Sequence, residues 1–129
     1  MKTKKQPTFI LSNAANLIPV TILISNSDGY YLVRLETIVY CASSNAYTTF
    51  HLVNNVSILI SQNLKVFESA LSGYGFMRIH QTSLINILHL TMIMKKEGGC
   101  CAMMDNGVAL DVARERKTQI LEQLKEGSV

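Results

Sequence analysis

Charged residues make up only 16% of this 129-residue chain, and no apolar run approaches the roughly 20 residues that cross a lipid bilayer. The low charge and an apolar content of 48% exclude an intrinsically disordered chain. The length suits one domain with its own core. The N-terminal MKTKK resembles the start of a signal peptide, but polar residues and Pro19 interrupt the run that follows. We therefore expect a cytoplasmic protein without membrane insertion.

The cysteines are few: Cys41 and the adjacent pair Cys100 and Cys101. An odd count without a CxxC spacing does not fit the disulfide framework of a small secreted domain. Buried thiols in a reducing compartment are the simpler interpretation, and a redox-sensing thiol is the alternative.

The net charge of +3 comes from one short segment, because Lys2, Lys4 and Lys5 supply all of it. From Gln6 onward, nine basic residues balance nine acidic ones. Bulk charge therefore gives little support for nucleic-acid binding, and any such case depends on where the charges lie.

Catalytic signatures are missing: the sequence has no HExxH, no GxSxG and no glycine-rich phosphate loop. His51, His80 and His89 are well separated, and their spacing fits no zinc motif. The six methionines lie mostly in strand-like runs, where we expect them to fill the core. We predict that the chain is not an enzyme and requires no cofactor, metal or small-molecule substrate.

Turn signals divide the chain into short runs rich in β-branched residues. Asn54-Asn55, KEGG at 96–99 and DNG at 105–107 each separate two such runs, as hairpin turns do. Residues 47–52, YTTFHL, alternate in the manner of a strand, and this alternation places Thr48 on the same face as Phe50.

Two helices are predicted among these strands. Leu64, Phe67 and Leu71 have helical spacing, and Ser61 or Asn63 can cap their short helix. A second helix follows near the C-terminus. The sequence thus predicts a mostly β fold of roughly eight to ten short antiparallel strands, with one short internal helix and one C-terminal helix.

One stretch, GFMRIHQTSLIN at 75–86, is too polar for a strand that only packs a core. It resembles the signature of the LytTR DNA-binding domain, in which a strand reads close to F-x-R-x-H-x-S before hydrophobic residues and Asn. Three further segments resemble the family in the same order: IVYCASSNAYTTFHL, SILISQNLKVFESAL and NGVALDVARERKTQIL. Four segments in register are a specific resemblance.

The resemblance implies an antiparallel β-β-β sandwich in a bacterial transcription regulator, often a response regulator of a two-component system. In such domains, loops and strand edges read the major groove of double-stranded DNA. The implied organisation is a basic and polar tether at 1–16, a LytTR-like domain at 17–125 and a tail at 126–129. A homodimer on adjacent half-sites and a regulatory partner protein are further expected partners.

The family pattern also implies DNA contacts for particular residues. Thr48 occupies a base-reading position, Gln81 suits adenine, and Arg114 suits bidentate binding to guanine O6 and N7. The remaining positions are expected to contact phosphate or to hold their neighbours in place: Lys65, Arg78, His80, Thr82, Arg116 and Lys117.

Two residues depart from the family pattern. Glu115 places an anion where the family often repeats Arg, and Ala113 replaces a Ser that could bind phosphate. These departures predict modest affinity per monomer. The alternative is a protein-interaction or redox-sensing β module that has lost DNA binding. DNA reading requires that the segments carrying Thr48, Gln81 and Arg114 converge on one exposed edge.

Overall fold

The computed structural model describes residues 9–11 and 19–127, and within these ranges it contains eleven strands and two α-helices. The mostly β fold with one short internal helix and one C-terminal helix is therefore confirmed. The strands are β1 (Phe9–Leu11), β2 (Thr21–Asn26), β3 (Gly29–Arg34), β4 (Ile38–Ser44), β5 (Tyr47–Leu52), β6 (Ser57–Ile60), β7 (Phe76–His80), β8 (Ser83–Asn86), β9 (Leu90–Lys96), β10 (Gly99–Met104) and β11 (Ala109–Val112). The helices are α1 (Leu64–Ala70) and α2 (Lys117–Glu126), and short 3-10 turns span Leu35–Thr37, Val53–Asn55, Ile87–His89 and Arg114–Arg116.

The strands form three antiparallel sheets. The central sheet has five strands in the order β6-β5-β4-β8-β7. The N-terminal sheet has the order β1-β2-β3, and the C-terminal sheet has the order β11-β10-β9. Most neighbouring strands are consecutive in sequence and joined by short hairpin turns. Turn-forming residues in the sequence therefore indicate where these strands begin and end.

The central sheet is covered on both faces. On one face, Phe50 and Phe67 belong to a cluster with the N-terminal sheet and α1, and their rings meet edge to face with centroids 4.8 Å apart. On the other face, Ile79 and Ile85 pack with the C-terminal sheet and with Ile120 of α2. Because β4 lies in the middle of this sandwich, its residues 38–41 are all buried.

Helix α1 is held by packing more than by its ends. Leu64, Phe67 and Leu71 are buried at the predicted spacing. Asn63 occupies the N-cap position but makes no side-chain capping hydrogen bond. At seven residues the helix is too short to be stable alone, so its contacts with the core determine its position.

The predicted tether and tail are only partly described. Within residues 1–16, β1 pairs with β2, with Phe9 opposite Leu23, so these three residues join the N-terminal sheet. Glu126, in the predicted tail, is the last residue of α2. The other residues of the predicted tether, and residues 128–129, lie outside the described ranges. In the described chain, neither helix has the length and apolar character needed to cross a bilayer.

Candidate nucleic-acid interface

Four segments that are distant in sequence meet at one end of the molecule. The amide of Ser43 donates to the Thr82 carbonyl over 3.0 Å, which joins the β4–β5 turn to the β7–β8 turn. The Ala113 amide donates to the Ile79 carbonyl over 2.8 Å, and Arg114 Nε donates to the Gly98 carbonyl over 3.1 Å. We call this region, formed by residues 44–47, 81–82, 97–98 and 113–117, the edge surface.

Several predicted contact residues are exposed on this surface. Gln81 and Thr82 form the β7–β8 turn, and Arg114 and Lys117 lie where the C-terminal helical segment begins; all four are exposed. Lys65 is also exposed, in the first turn of α1. The structure therefore brings the segments of Gln81 and Arg114 together, as DNA reading requires.

Thr48 does not lie on the edge surface. Its side chain is fully buried, and its hydroxyl donates to the Gln62 carbonyl over 2.8 Å. The prediction that Thr48 is available to read a base is therefore wrong for this structure. The bond to Gln62 instead ties the start of β5 to the loop before α1. The neighbouring Tyr47 is exposed, as are residues 44–46 of the same hairpin.

Arg78 is occupied within the protein. Its guanidinium donates to the Glu68 carboxylate over 2.6 Å, to the His80 carbonyl over 2.8 Å and to the Gln81 carbonyl over 2.6 Å. The side chain is only 14% exposed. Arg78 is therefore paired within the protein rather than free to contact phosphate. It fixes the backbone that presents Gln81.

His80 and Thr82 form a second local contact in the same turn. The Thr82 amide donates to His80 Nδ1 over 3.1 Å, and the Thr82 hydroxyl lies 2.9 Å from the same nitrogen. Because Nδ1 accepts the amide hydrogen, Nε2 must carry the ring proton. His80 thus shapes the turn through one nitrogen, and its half-buried ring leaves little side chain for other contacts.

Arg114 and Arg116 differ in accessibility. Arg114 is exposed and donates from Nε to the Gly98 carbonyl, and within the described residues its two terminal nitrogens make no hydrogen bond. Arg116 is half-buried, and its Nη1 reaches the Arg78 carbonyl at 3.5 Å, a long contact. Arg114 is therefore the better placed of the two to enter a groove.

The β9–β10 hairpin is part of this surface although no feature of the sequence predicts it. Lys96 forms a hydrogen-bonded ion pair with Asp111 across the C-terminal sheet. This bond raises the pKa of Lys96 and lowers the pKa of Asp111. The KKEGG segment predicted a turn, but its position beside Arg114 follows from the packing of three sheets, for which the sequence contains no local signal.

The other two histidines are held by contacts within the protein. His51 stacks on Tyr40 with ring centroids 4.3 Å apart, and burial lowers its pKa. His89 bonds the Asp105 carboxylate over 2.8 Å and the Glu36 carbonyl over 2.6 Å. All three cysteines are buried, and burial raises the pKa of Cys41. Over residues 9–11 and 19–127, no three His, Cys, Asp or Glu side chains are grouped as a metal site.

Comparison with known proteins gives a consistent result. A search of curated proteins found no match. Among solved structures, the chain is similar to the LytTr DNA-binding domain of a putative methyl-accepting/DNA response regulator from Bacillus cereus, with a TM-score of 0.70 and 20% identity. That match covers 81% of this chain and 95% of the other, and at this identity it shows a shared fold. The family model of the LytTr DNA-binding domain matches residues 28–125, most of the chain. The chain therefore belongs to the LytTR family of DNA-binding domains.

Proposed function

We propose that this domain binds double-stranded DNA in a sequence-specific manner, as part of a bacterial transcription regulator, through the edge surface. The observation that carries the proposal is the convergence of Gln81 and Arg114, exposed on turns that are 33 positions apart in sequence. Both side chains project from backbone that is hydrogen-bonded to another segment. A rigid pair of polar side chains can enter a groove without the ordering cost of a free loop.

Arg114 is suited to guanine in this arrangement. The Gly98 carbonyl occupies Nε, which leaves the two terminal nitrogens for O6 and N7 of one base. This internal bond also holds the side chain in one orientation before DNA arrives. Gln81 is exposed, so its side-chain amide can pair with N6 and N7 of adenine. Arg78 binds the backbone carbonyl of Gln81 and leaves the side chain available.

Basic residues around these two positions can contact phosphate. Lys65 and Lys117 are exposed, and Thr82 adds a hydroxyl. Glu115, exposed beside Arg114, repels phosphate and limits the attraction. We infer modest affinity for one copy, and binding of two copies to adjacent half-sites.

Replacing Arg114 with Ala tests the proposal. We expect the variant to lose about 1–3 kcal/mol of binding free energy at the preferred site, because a bidentate base contact disappears. The site would first be selected from a random duplex pool and the affinities measured by fluorescence anisotropy. The loss should be larger at the selected site than at random DNA.

Arg34→Ala is the matched control. Arg34 is also exposed and directly precedes the 3-10 turn Leu35–Thr37. Asn86 binds this turn, and Asn86 lies at the end of β8 that is far from Thr82. The control removes the same charge away from the edge surface and should change affinity little. Equal affinity of wild type and Arg114→Ala for the selected duplex would contradict the proposed mode of binding.

A protein-interaction module is the second candidate function. Two large apolar side chains on β3 favour it: Tyr30 is 76% exposed and Leu32 is 65% exposed. Failure of the random pool to enrich any duplex, at low or high salt, would support this candidate over DNA reading.

A further inference from the structure

Four sulfur-containing side chains form a block on the outward face of the C-terminal sheet. In the pairing of β9 with β10, Met92 lies opposite Met103 and Met94 lies opposite Cys101. We propose that this block, Met92, Met94, Cys101 and Met103, is a binding site for a soft monovalent metal ion, Cu(I). The proposal is independent of DNA binding.

The alternation of the strands places all four side chains on one face. Ile93 and Ala102, which are paired with each other, belong to the core, as does Met104. Their neighbours in sequence therefore point away from the core. Met92 is 52% exposed and Met94 is 37% exposed, so the expectation that the methionines fill the core is wrong for these two.

The spacing of the sulfur atoms suits a shared ligand. Cys101 Sγ and Met103 Sδ are 3.9 Å apart. Two sulfur ligands, each about 2.3 Å from one ion in a trigonal or tetrahedral arrangement, are about 3.8–4.0 Å apart. Directly paired residues of antiparallel strands bring their Cβ atoms within about 5.5 Å, so the flexible side chain of Met94 can reach the same point.

The donor set determines which ion fits. Thioethers and one thiolate are soft ligands that favour Cu(I) over Mg²⁺ or Ca²⁺. Asp111 pairs with Cys101 from the other neighbouring strand, but Lys96 binds its carboxylate. Without that carboxylate, the block has a single anionic ligand, which is a poor set for Zn²⁺. On binding, the Cys101 thiol releases its proton to solvent and the thiolate donates to the ion.

Access comes from the solvent side. Cys101 is only 3% exposed, yet it belongs to neither core cluster, so the surrounding outward side chains cover it. Rotation of the exposed Met94 side chain opens a path to the thiol. This arrangement shields the sulfur of Cys101 while leaving the outer thioethers free to capture an ion.

Titration with Cu(I) under argon, in competition with the chelator bicinchoninate, tests the site. We expect one equivalent to bind, with a new sulfur-to-copper absorption in the ultraviolet. Cys101→Ser should weaken binding by about 100-fold or more. Loss of a residue that only supports a metal ligand already lowers affinity by about 10- to 100-fold, and loss of the ligand itself should cost more. Met103→Leu and Met94→Leu should each weaken it by about 10-fold.

Two matched variants on the inward face of β10 serve as controls. Cys100→Ala and Met104→Leu change the same residue types one position away, so they should leave the affinity for Cu(I) within about 2-fold. As a measurement that does not depend on variant stability, Ag(I) added to wild type should shift the methyl NMR signals of Met92, Met94 and Met103. The signals of Met77 and Met104, which are buried in the core, should not shift. Unchanged affinity in Cys101→Ser, or shifts of the buried methionine signals alone, would overturn the proposal.

Discussion

Arg78 fixes the β7–β8 turn from within the protein. Its guanidinium connects α1, through Glu68, with the carbonyl groups of His80 and Gln81. A charged group that donates three hydrogen bonds from a half-buried position stabilises the turn more than an exposed ion pair would. Arg78 is therefore a positioning residue for Gln81.

Arg78→Met should lower the free energy of unfolding by about 1–3 kcal/mol, because two backbone carbonyl groups lose a charged donor while the side-chain volume is kept. Urea denaturation measures this change. Glu68→Gln is the control and should cost less than about 1 kcal/mol, since Glu68 is 41% exposed and can still accept a hydrogen bond. If Arg78 instead contacted phosphate, stability would be unchanged and the salt slope of DNA binding would fall by about one.

At the scale of elements, Asn86 joins the end of β8 to two turns. Its side-chain amide donates to the carbonyl groups of Leu35 and Ile38, and its oxygen accepts the Leu88 amide. The residue is buried, so all three partners depend on it for hydrogen bonding away from water. The Asn of the signature stretch thus stabilises the end of the sheet opposite the edge surface.

Asn86→Ala should destabilise the fold by about 2–4 kcal/mol, because it leaves buried backbone groups without partners. Thermal or urea unfolding tests this value. Asn63→Ala is a suitable comparison, because Asn63 is exposed at the N-cap of α1 and makes no capping bond there, and its loss should cost less than about 0.5 kcal/mol. Similar losses in the two variants would show that Asn86 has no special role.

Strand β5 illustrates which features the sequence predicted and which it did not. Its alternation placed Thr48 on the face of Phe50, and both are buried. The family resemblance assigned Thr48 to DNA, and this assignment conflicts with the alternation. The alternation of apolar residues along a strand shows which side chains face the core. A resemblance to a family assigns a role to a position without showing whether its side chain is exposed. The hairpin turns at 54–55, 96–99 and 105–107 were predictable for the same local reason: their residues favour tight turns.

At the scale of the whole molecule, the sequence identifies the segments of the edge surface but does not show that they lie together. Gln81 and Arg114 are each recognisable within their own segments, but their proximity depends on the bond between Ala113 and Ile79, which joins two different sheets. The sequence likewise did not indicate that Gly98 would bind Arg114. Such contacts follow from how the three sheets pack, and no short stretch of sequence encodes them.

If DNA binds at the edge surface as proposed, the few exposed cations there set the salt dependence of binding. With three or four phosphate contacts per copy, the logarithm of the binding constant should fall with the logarithm of salt concentration with a slope of about −3 to −4. Anisotropy titrations from about 50 to 200 mM KCl measure it. Replacing Lys2, Lys4 and Lys5 with Gln should weaken specific and random binding alike, so the ratio of the two is preserved. A slope near zero would argue against phosphate contact.

The edge surface is assembled from turns that belong to different sheets and therefore exists only in the complete fold. Partly unfolded chains lose the surface altogether, so an operator bound by the native state alone must favour folding by mass action. At an operator concentration 100 times the dissociation constant, this linkage adds about 2.7 kcal/mol to the native state. Substitutions deep in the sandwich, far from the edge surface, would then weaken the proposed DNA binding simply by reducing the population of intact molecules.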